Sequence, residues 1–231
     1  MALQWHEFDS KDQLDQQLAS TIASALAAAI AARGCAGLAV SGGRTPAGMF
    51  KALRNAAIDW SRVVITLVDE RWVQPDHADS NERLTRENLL QDGAAAATFI
   101  SLVNQEATPH AALTSIEARL AALPNPIDVV ILGMGDDGHT ASLFPAAAEL
   151  EAACASDNLL AAVTPPVAPH QRITLTLPTI VKSPNVIVHI TGEGKKTLLN
   201  DAMQAQVSLT EQYPIRRVLD QVATAQVFWA A

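Results

Sequence analysis

His139 is embedded in Gly133-Met134-Gly135-Asp136-Asp137-Gly138-His139-Thr140-Ala141-Ser142-Leu143-Phe144-Pro145, where three glycines and two carboxylates surround one imidazole. Imidazole exchanges protons near neutral pH, so these residue types suit general acid–base chemistry, with Asp137 a candidate to orient the ring or a water. The block directly follows the apolar run 127–132. A glycine-dense loop after a buried strand lets backbone N–H groups approach a ligand, and open α/β sheets place their sites at the carboxyl ends of strands. A loop histidine is also an ordinary local hydrogen-bond partner, so the other motifs must decide.

Three further clusters bear on that choice. The run 37–41 leads into Ser41-Gly42-Gly43-Arg44-Thr45-Pro46, with a helical pattern beginning at Pro46. Proline suits the first turn of a helix and Thr45 suits its N-cap, so the spacing predicts a strand, a glycine turn and a helix N-terminus facing an anion. The loop has neither a Walker ending nor the dinucleotide glycine spacing, and a tight turn without a ligand would use the same residues. Ala39-Val40-Ser41-Gly42-Gly43 also resembles a nucleophile elbow, with Ser41 as nucleophile and His170 or His189 as its base. After the second strand come Asp69-Glu70-Arg71 and then Ser80-Asn81; after a later strand comes Gly192-Glu193-Gly194-Lys195. Arginine offers a planar fork to phosphate or carboxylate, although solvated ion pairs at strand ends also look like this.

The convergence is more informative than any one cluster. Glycine turns, Arg71, Lys195 and His139 all fall on one expected sheet edge, which implies a small phosphorylated ligand beside an acid–base residue. The six histidines show no H-x-x-x-H spacing, and Cys35 and Cys154 are far apart, so neither a metal site nor a disulfide framework is expected.

The elements that must position these groups alternate along the chain. Apolar, β-branched runs at 37–41, 63–68, 99–103, 127–132, 159–163, 186–191 and 226–229 read as strands. Helical patterns occupy 11–33, 46–55, 81–90, 109–123, 195–204 and 214–220. This alternation predicts an α/β, Rossmann-like three-layer domain: a mostly parallel sheet flanked by helices, with its first strand near residue 37. Residues 172–177 alternate polar and apolar types and predict a half-exposed strand. No linker or repeat divides residues 1–231, so one domain is expected.

Composition removes several function classes. A formal charge of −8, from 16 Lys and Arg against 24 Asp and Glu, offers no basic face for nucleic acid. The Ala-rich stretch 19–32 follows acidic residues and is too short to span a bilayer, so it is neither a signal peptide nor a membrane helix. A cytoplasmic chain with two reduced thiols, no cofactor, no membrane contact and no obligate protein partner is the expectation.

Ser41-Gly42-Gly43-Arg44-Thr45-Pro46, Asp69-Glu70-Arg71 with Ser80-Asn81, the block from Gly133 to Pro145, Arg172-Ile173-Thr174-Leu175-Thr176 and Gly192 to Lys195 resemble, in order, the successive motifs of the 6-phosphogluconolactonase family. The resemblance implies a fold shared with glucosamine-6-phosphate deaminases and metal-free hydrolysis of 6-phosphoglucono-δ-lactone to 6-phosphogluconate, in the oxidative pentose phosphate pathway. It implies His139 as the base, with Asp69 and Asp137 orienting it or a water. Arg71 would serve phosphate or carbonyl oxygen. Ser41, Gly42, Gly43, Thr45, Ser80, Asn81, Gly138, Arg172 and Lys195 would complete the substrate site. Arg44 departs from the serine common in the family, which leaves it between phosphate contact and surface. Deaminases of this fold carry a glutamate where Phe144 stands and a tyrosine where Arg71 stands, so the lactonase resemblance is the closer. A non-catalytic sugar-phosphate sensor would carry a DNA-binding unit ahead of the sugar domain, for which the expected start of the first strand leaves no room.

Overall fold

The computed structural model describes residues 3–205 and 213–231. The chain opens with β1 (Leu3–Phe8), α1 (Lys11–Arg33), β2 (Ala36–Val40) and α2 (Ala47–Leu53). β3 (Val63–Leu67), β4 (Asp69–Arg71), α3 (Asn81–Asn88), β5 (Thr98–Phe99), α4 (Pro109–Leu120) and β6 (Val129–Leu132) follow. The second half contains α5 (Leu150–Ala155), β7 (Leu160–Val163), β8 (Arg172–Leu175), α6 (Leu177–Val181), β9 (Asn185–Thr191), α7 (Glu193–Gln204), α8 (Pro214–Leu219) and β10 (Ala225–Ala230).

Seven strands form one sheet in the order β1-β10-β9-β6-β2-β3-β5, with every pairing parallel. Every residue of β2 and β6 is buried, as expected of strands covered on both faces. α1 packs over β1, β2, β6 and β10, and α7 lies against β9. Sequence chemistry fixes the ends of α1: the Ser10 hydroxyl accepts from Gln13 N–H, and Gly34, at φ +80°, donates its N–H to Ile30 C=O at 2.7 Å.

From β2 the chain winds outward through β3 to β5, whereas from β6 it winds the other way through β9 and β10. The reversal lies between β2 and β6. In open α/β sheets a crevice opens at such a switch point, beyond the carboxyl ends of the strands. Ser41–Gly43 and Gly133–Gly135 leave the sheet there.

Several expectations are corrected. The first strand is β1, not the run at residue 37; its mixed burial at the edge of the sheet hides the apolar signature. Thr45 does not cap α2: Pro46 takes the cap position without a side-chain bond, and the helix begins at Ala47. The expected strand 99–103 shrinks to Thr98–Phe99. β7, β8 and β4 form a separate antiparallel sheet in which β8 is central, so β8 is fully buried rather than half exposed. Val68 links the two sheets, donating to Val40 C=O and accepting from Leu175 N–H.

Leu38 is fully buried at the middle of β2. Leu38→Ala should lower unfolding stability by about 2–5 kcal/mol, the usual cost of such a cavity. Urea unfolding followed by circular dichroism checks this, and a loss under about 1 kcal/mol would mean that the site collapses around the smaller residue.

Candidate active site

A cavity of about 690 Å³ lies at the switch point, lined by the segments that follow β2, β6 and β9 and by groups from β4 and β8. That size suits a small-molecule ligand.

The histidine loop is held by its own backbone. Gly135 N–H donates to His139 C=O at 2.8 Å, Gly138 N–H to Gly135 C=O at 3.1 Å, and Thr140 Oγ1 to Gly133 C=O at 2.8 Å. A Cβ on Gly135 would lie 2.1 Å from the His139 ring, so only glycine fits beneath the imidazole. Asp137 Oδ1 accepts from His139 N–H at 3.1 Å and contacts Nδ1 at 2.6 Å. A carboxylate there selects the tautomer protonated on Nδ1 and leaves Nε2 with its lone pair. On the other side the Phe144 ring lies 4.3 Å away, centroid to centroid.

Asp69 is not on His139. Its Oδ2 accepts from Ser142 Oγ at 2.5 Å, and Asn81 Nδ2 donates to its backbone carbonyl at 2.9 Å. Arg71 reaches Asn81 Oδ1 at 2.8 Å and Asp79 C=O at 2.6 Å through Nη1. Beneath this cluster Glu70 is fully buried and accepts from Arg71, Asn81 and Glu82 N–H and from Ser80 Oγ, at 2.7–3.0 Å. Burial pushes the Glu70 carboxyl above the usual carboxylate range, with these bonds acting against the rise.

Arg71 and Arg172 are paired across β4 and β8. Arg172 is 6% exposed, its Nε has no partner among the described residues, and Nη2 donates to Pro169 C=O at 3.1 Å. Burial lowers its pKa, while the nearby Asp69 opposes that shift. Lys195 pairs with the fully exposed Asp136 at 2.6 Å and draws that carboxyl below its usual range. The turn carrying Lys195 is fixed by Trp229, whose Nε1–H donates to Gly192 C=O at 2.9 Å.

Ser41, Gly42, Gly43, Arg44, Thr45, Asp69, Arg71, Asn81, His139, Arg172 and Lys195 therefore share one cavity wall, with Arg44 on its exposed rim. Ser80, Asp137 and Gly138 do not line it. Ser80 caps α3 by accepting from Arg83 N–H at 3.1 Å, and Gly138 lies beneath the Tyr213 ring. Gly42 is needed for a close approach: a Cβ there would come within 1.8 Å of Asn81 Oδ1. The elbow reading has no base in place, because His170 Nε2 contacts Asp79 Oδ2 at 3.1 Å and His189 Nε2 faces Asp15 Oδ1 at 3.7 Å. Sequence reasoning missed Ser142 and Glu70 as supports. Ser142 lies within the histidine block, but only the folded chain shows that it reaches Asp69.

The wall thus combines an oriented imidazole with four cationic side chains, Arg44 among them at the rim, in a sugar-sized cavity at the carboxyl edge of a parallel sheet. That combination defines an α/β protein of the sugar-phosphate-processing class. Residues 9–229 match the model of a family described as glucosamine-6-phosphate isomerases/6-phosphogluconolactonase, and the chain belongs to that family. It is 43% identical to a 6-phosphogluconolactonase of Rhizobium meliloti, with all of both chains covered. It is 44% identical to one of Mesorhizobium japonicum, covering 98% of this chain and 94% of that one. The crystal structure of a 6-phosphogluconolactonase from Shewanella baltica superposes with a TM-score of 0.96 at 46% identity, covering 100% of this chain and 98% of that one. A monomeric glucosamine-6-phosphate deaminase shares the fold at 17% identity and a TM-score of 0.80, covering 99% and 97%. No helix among the described residues is long and apolar enough to cross a membrane.

His189 also lines the cavity, at its buried floor. Burial, with a smaller contribution from Lys11, lowers its pKa to about 3, although Asp15 Oδ1 lies 3.7 Å from Nε2. The unfolded chain takes up this proton near pH 6.5 and the folded chain only near 3. Stability from the neutral ring is therefore complete above about pH 6.5 and is lost as pH falls toward 3. His189→Gln should flatten the fall in urea midpoint over that range; an unchanged profile would assign the acid sensitivity to other groups.

Proposed function

We propose that the chain hydrolyses 6-phosphoglucono-δ-lactone to 6-phosphogluconate, with His139 as general base. The observation that carries the chemistry is the Asp137–His139 contact at 2.6 Å beside the cation-lined cavity. Relatives named for this activity at 43–44% identity over nearly the whole chain support the substrate.

His139 Nε2 takes a proton from a water as its oxygen bonds to the lactone carbonyl carbon. Negative charge develops on the carbonyl oxygen, for which Arg71 or backbone N–H groups of the glycine loops are the nearby donors. The tetrahedral intermediate then expels the ring oxygen, which receives the proton back from His139. The products are a carboxylate and a hydroxyl, and one residue serves both half-steps. Asp137 holds the ring and stabilises its cationic form. Asp69 acts one step removed, fixing Ser142 and Asn81.

Arg172, Lys195 and Arg71, with the Gly42 and Gly43 amides, are the phosphate ligands in this reading. Arg71 and Arg172 lie directly across a ladder, an arrangement that costs energy unless an anion lies between them. The Asp136 carboxylate on Lys195 is fully exposed, so a phosphate can displace it. Arg44 guards the rim, and Ser41 and Thr45 supply hydroxyls to the same end. Deamination of glucosamine 6-phosphate is disfavoured by Phe144, whose apolar ring stands against His139 where the deaminases resembled by this block carry a carboxylate. Residues 1–231 act as one unit in this proposal, since a single core joins both sheets. Cys35 and Cys154 are unpaired, in keeping with a cytoplasmic location.

The test uses lactone generated freshly from glucose 6-phosphate, with 6-phosphogluconate release followed by a coupled dehydrogenase and spontaneous hydrolysis subtracted. His139→Ala should lower kcat about 10²–10⁴-fold. Lys195→Ala should raise KM about tenfold with a smaller change in kcat. Absence of acceleration by folded wild type would sink the lactonase reading, and full kcat in folded His139→Ala would move the base elsewhere.

A further inference from the structure

Outside the acid–base cluster, two turns bring a second set of donors to the mouth of the cavity. His77 and Asp79 lie on the turn before α3, and His170 on the segment before β8. One donor atom from each lies within 4.8 Å of the others. Asp79 Oδ2 stands between the imidazoles, 3.1 Å from His170 Nε2 and 3.9 Å from His77 Nδ1, and the two rings meet edge to face at 5.5 Å. We propose that His77, Asp79 and His170 bind a divalent transition-metal ion of the Zn²⁺ or Co²⁺ type.

Donors about 2.0–2.2 Å from a tetrahedral ion stand roughly 3.3 Å apart. Of the three separations, Asp79–His170 at 3.1 Å already fits, Asp79–His77 at 3.9 Å needs a shift of about half an ångström, and the two imidazole nitrogens, within 4.8 Å, close by at most about 1.5 Å through rotation of exposed side chains. Two imidazoles and one carboxylate select borderline transition ions over Mg²⁺ or Ca²⁺, which prefer all-oxygen sets. Three protein ligands also leave a coordination position for water.

The donors are held by backbone bonds. His77 N–H donates to Gln74 C=O at 2.9 Å, and Ser80 N–H to His77 C=O at 3.0 Å. His170 sits at φ +69°, an uncommon conformation for a side chain with a Cβ, between Pro169, whose carbonyl takes Arg172 Nη2, and Gln171, whose carbonyl takes Trp72 N–H at 2.7 Å. An ion entering at Nδ1 of His77 displaces one exposed bond, from Asp79 N–H at 3.1 Å. Asp79 and His170 line the cavity that holds His139, so the ion would sit at its mouth and not on the proposed base.

Chelator-treated protein should be titrated with Co²⁺, read by its visible d–d absorption, and with Zn²⁺ by calorimetry. One ion per chain with micromolar affinity is expected, unaffected by millimolar Mg²⁺. His77→Ala and His170→Ala should each weaken binding at least tenfold, Asp79→Asn likewise, and His139→Ala should leave it unchanged; circular dichroism and Tm verify the fold of each variant. The proposal is overturned if wild type binds no ion more tightly than about 1 mM. It is equally overturned if the folded His77→Ala/His170→Ala double variant keeps wild-type affinity, or if His139→Ala is the variant that abolishes the Co²⁺ spectrum.

Discussion

A carboxylate with no exposure to water, Glu70, holds the polar half of the cavity wall in place. Burying a carboxyl is costly unless its lone pairs are filled, and here they accept from three backbone N–H groups and one hydroxyl. Two of those N–H groups belong to the first turn of α3, where the helix leaves its donors unsatisfied and favours negative charge. A single side chain therefore fastens the start of α3 to β4. Asn81 and Arg71 are both residues whose own N–H groups Glu70 holds, so their side chains inherit its position. Asn81 in turn meets the Asp69 carbonyl and Arg71. The close approach of Asn81 to Gly42 ties the glycine turn after β2 to the same point.

A second constraint comes from topology. The parallel sheet sends every carboxyl end to one edge, and the reversal between β2 and β6 separates their loops enough to leave a cavity. The small antiparallel sheet then walls that edge. It supplies Arg172 from a central, fully buried strand, so the guanidinium is presented by a rigid element. The protein is acidic overall, yet Arg44, Arg71, Arg172 and Lys195 line this one cavity. Net charge thus describes the surface as a whole, whereas ligand choice is set locally.

The parts of this arrangement legible in the sequence are those with local causes. β2, β3, β6 and β9 are buried runs and announce themselves by composition, and the glycine loops follow because each strand must turn at the same edge. β1 was invisible because an edge strand with mixed burial lacks that signature. β8 departs from expectation because Arg172 and Thr174 look solvent-facing, while the middle strand of the small sheet buries them. Long-range partners left no local trace. Ser142 meets Asp69 across 73 residues, and Asp79 meets His170 across 91. A search for ligand pairs by short spacing overlooks such a cluster. Thr45 illustrates the converse, since a good N-cap sequence is not used when Pro46 already occupies the position.

The environment of His139 connects local geometry to the choice between reactions found in one family. Asp137 engages Nδ1, which leaves the Nε2 lone pair free of that contact, and the Phe144 ring covers part of the imidazole without offering it a charge. An imidazole oriented by one carboxylate can take a proton from water and return it to a leaving oxygen, as lactone hydrolysis requires. Proton abstraction from carbon in an opened aminosugar asks for more, because the acid is weaker, and the deaminase motif places a histidine-orienting carboxylate just before its proline. Here an aromatic side chain holds the position where the deaminase motif carries that carboxylate. The fold and its cation-lined edge are thus compatible with either reaction, and the residue packed against the histidine favours attack by water.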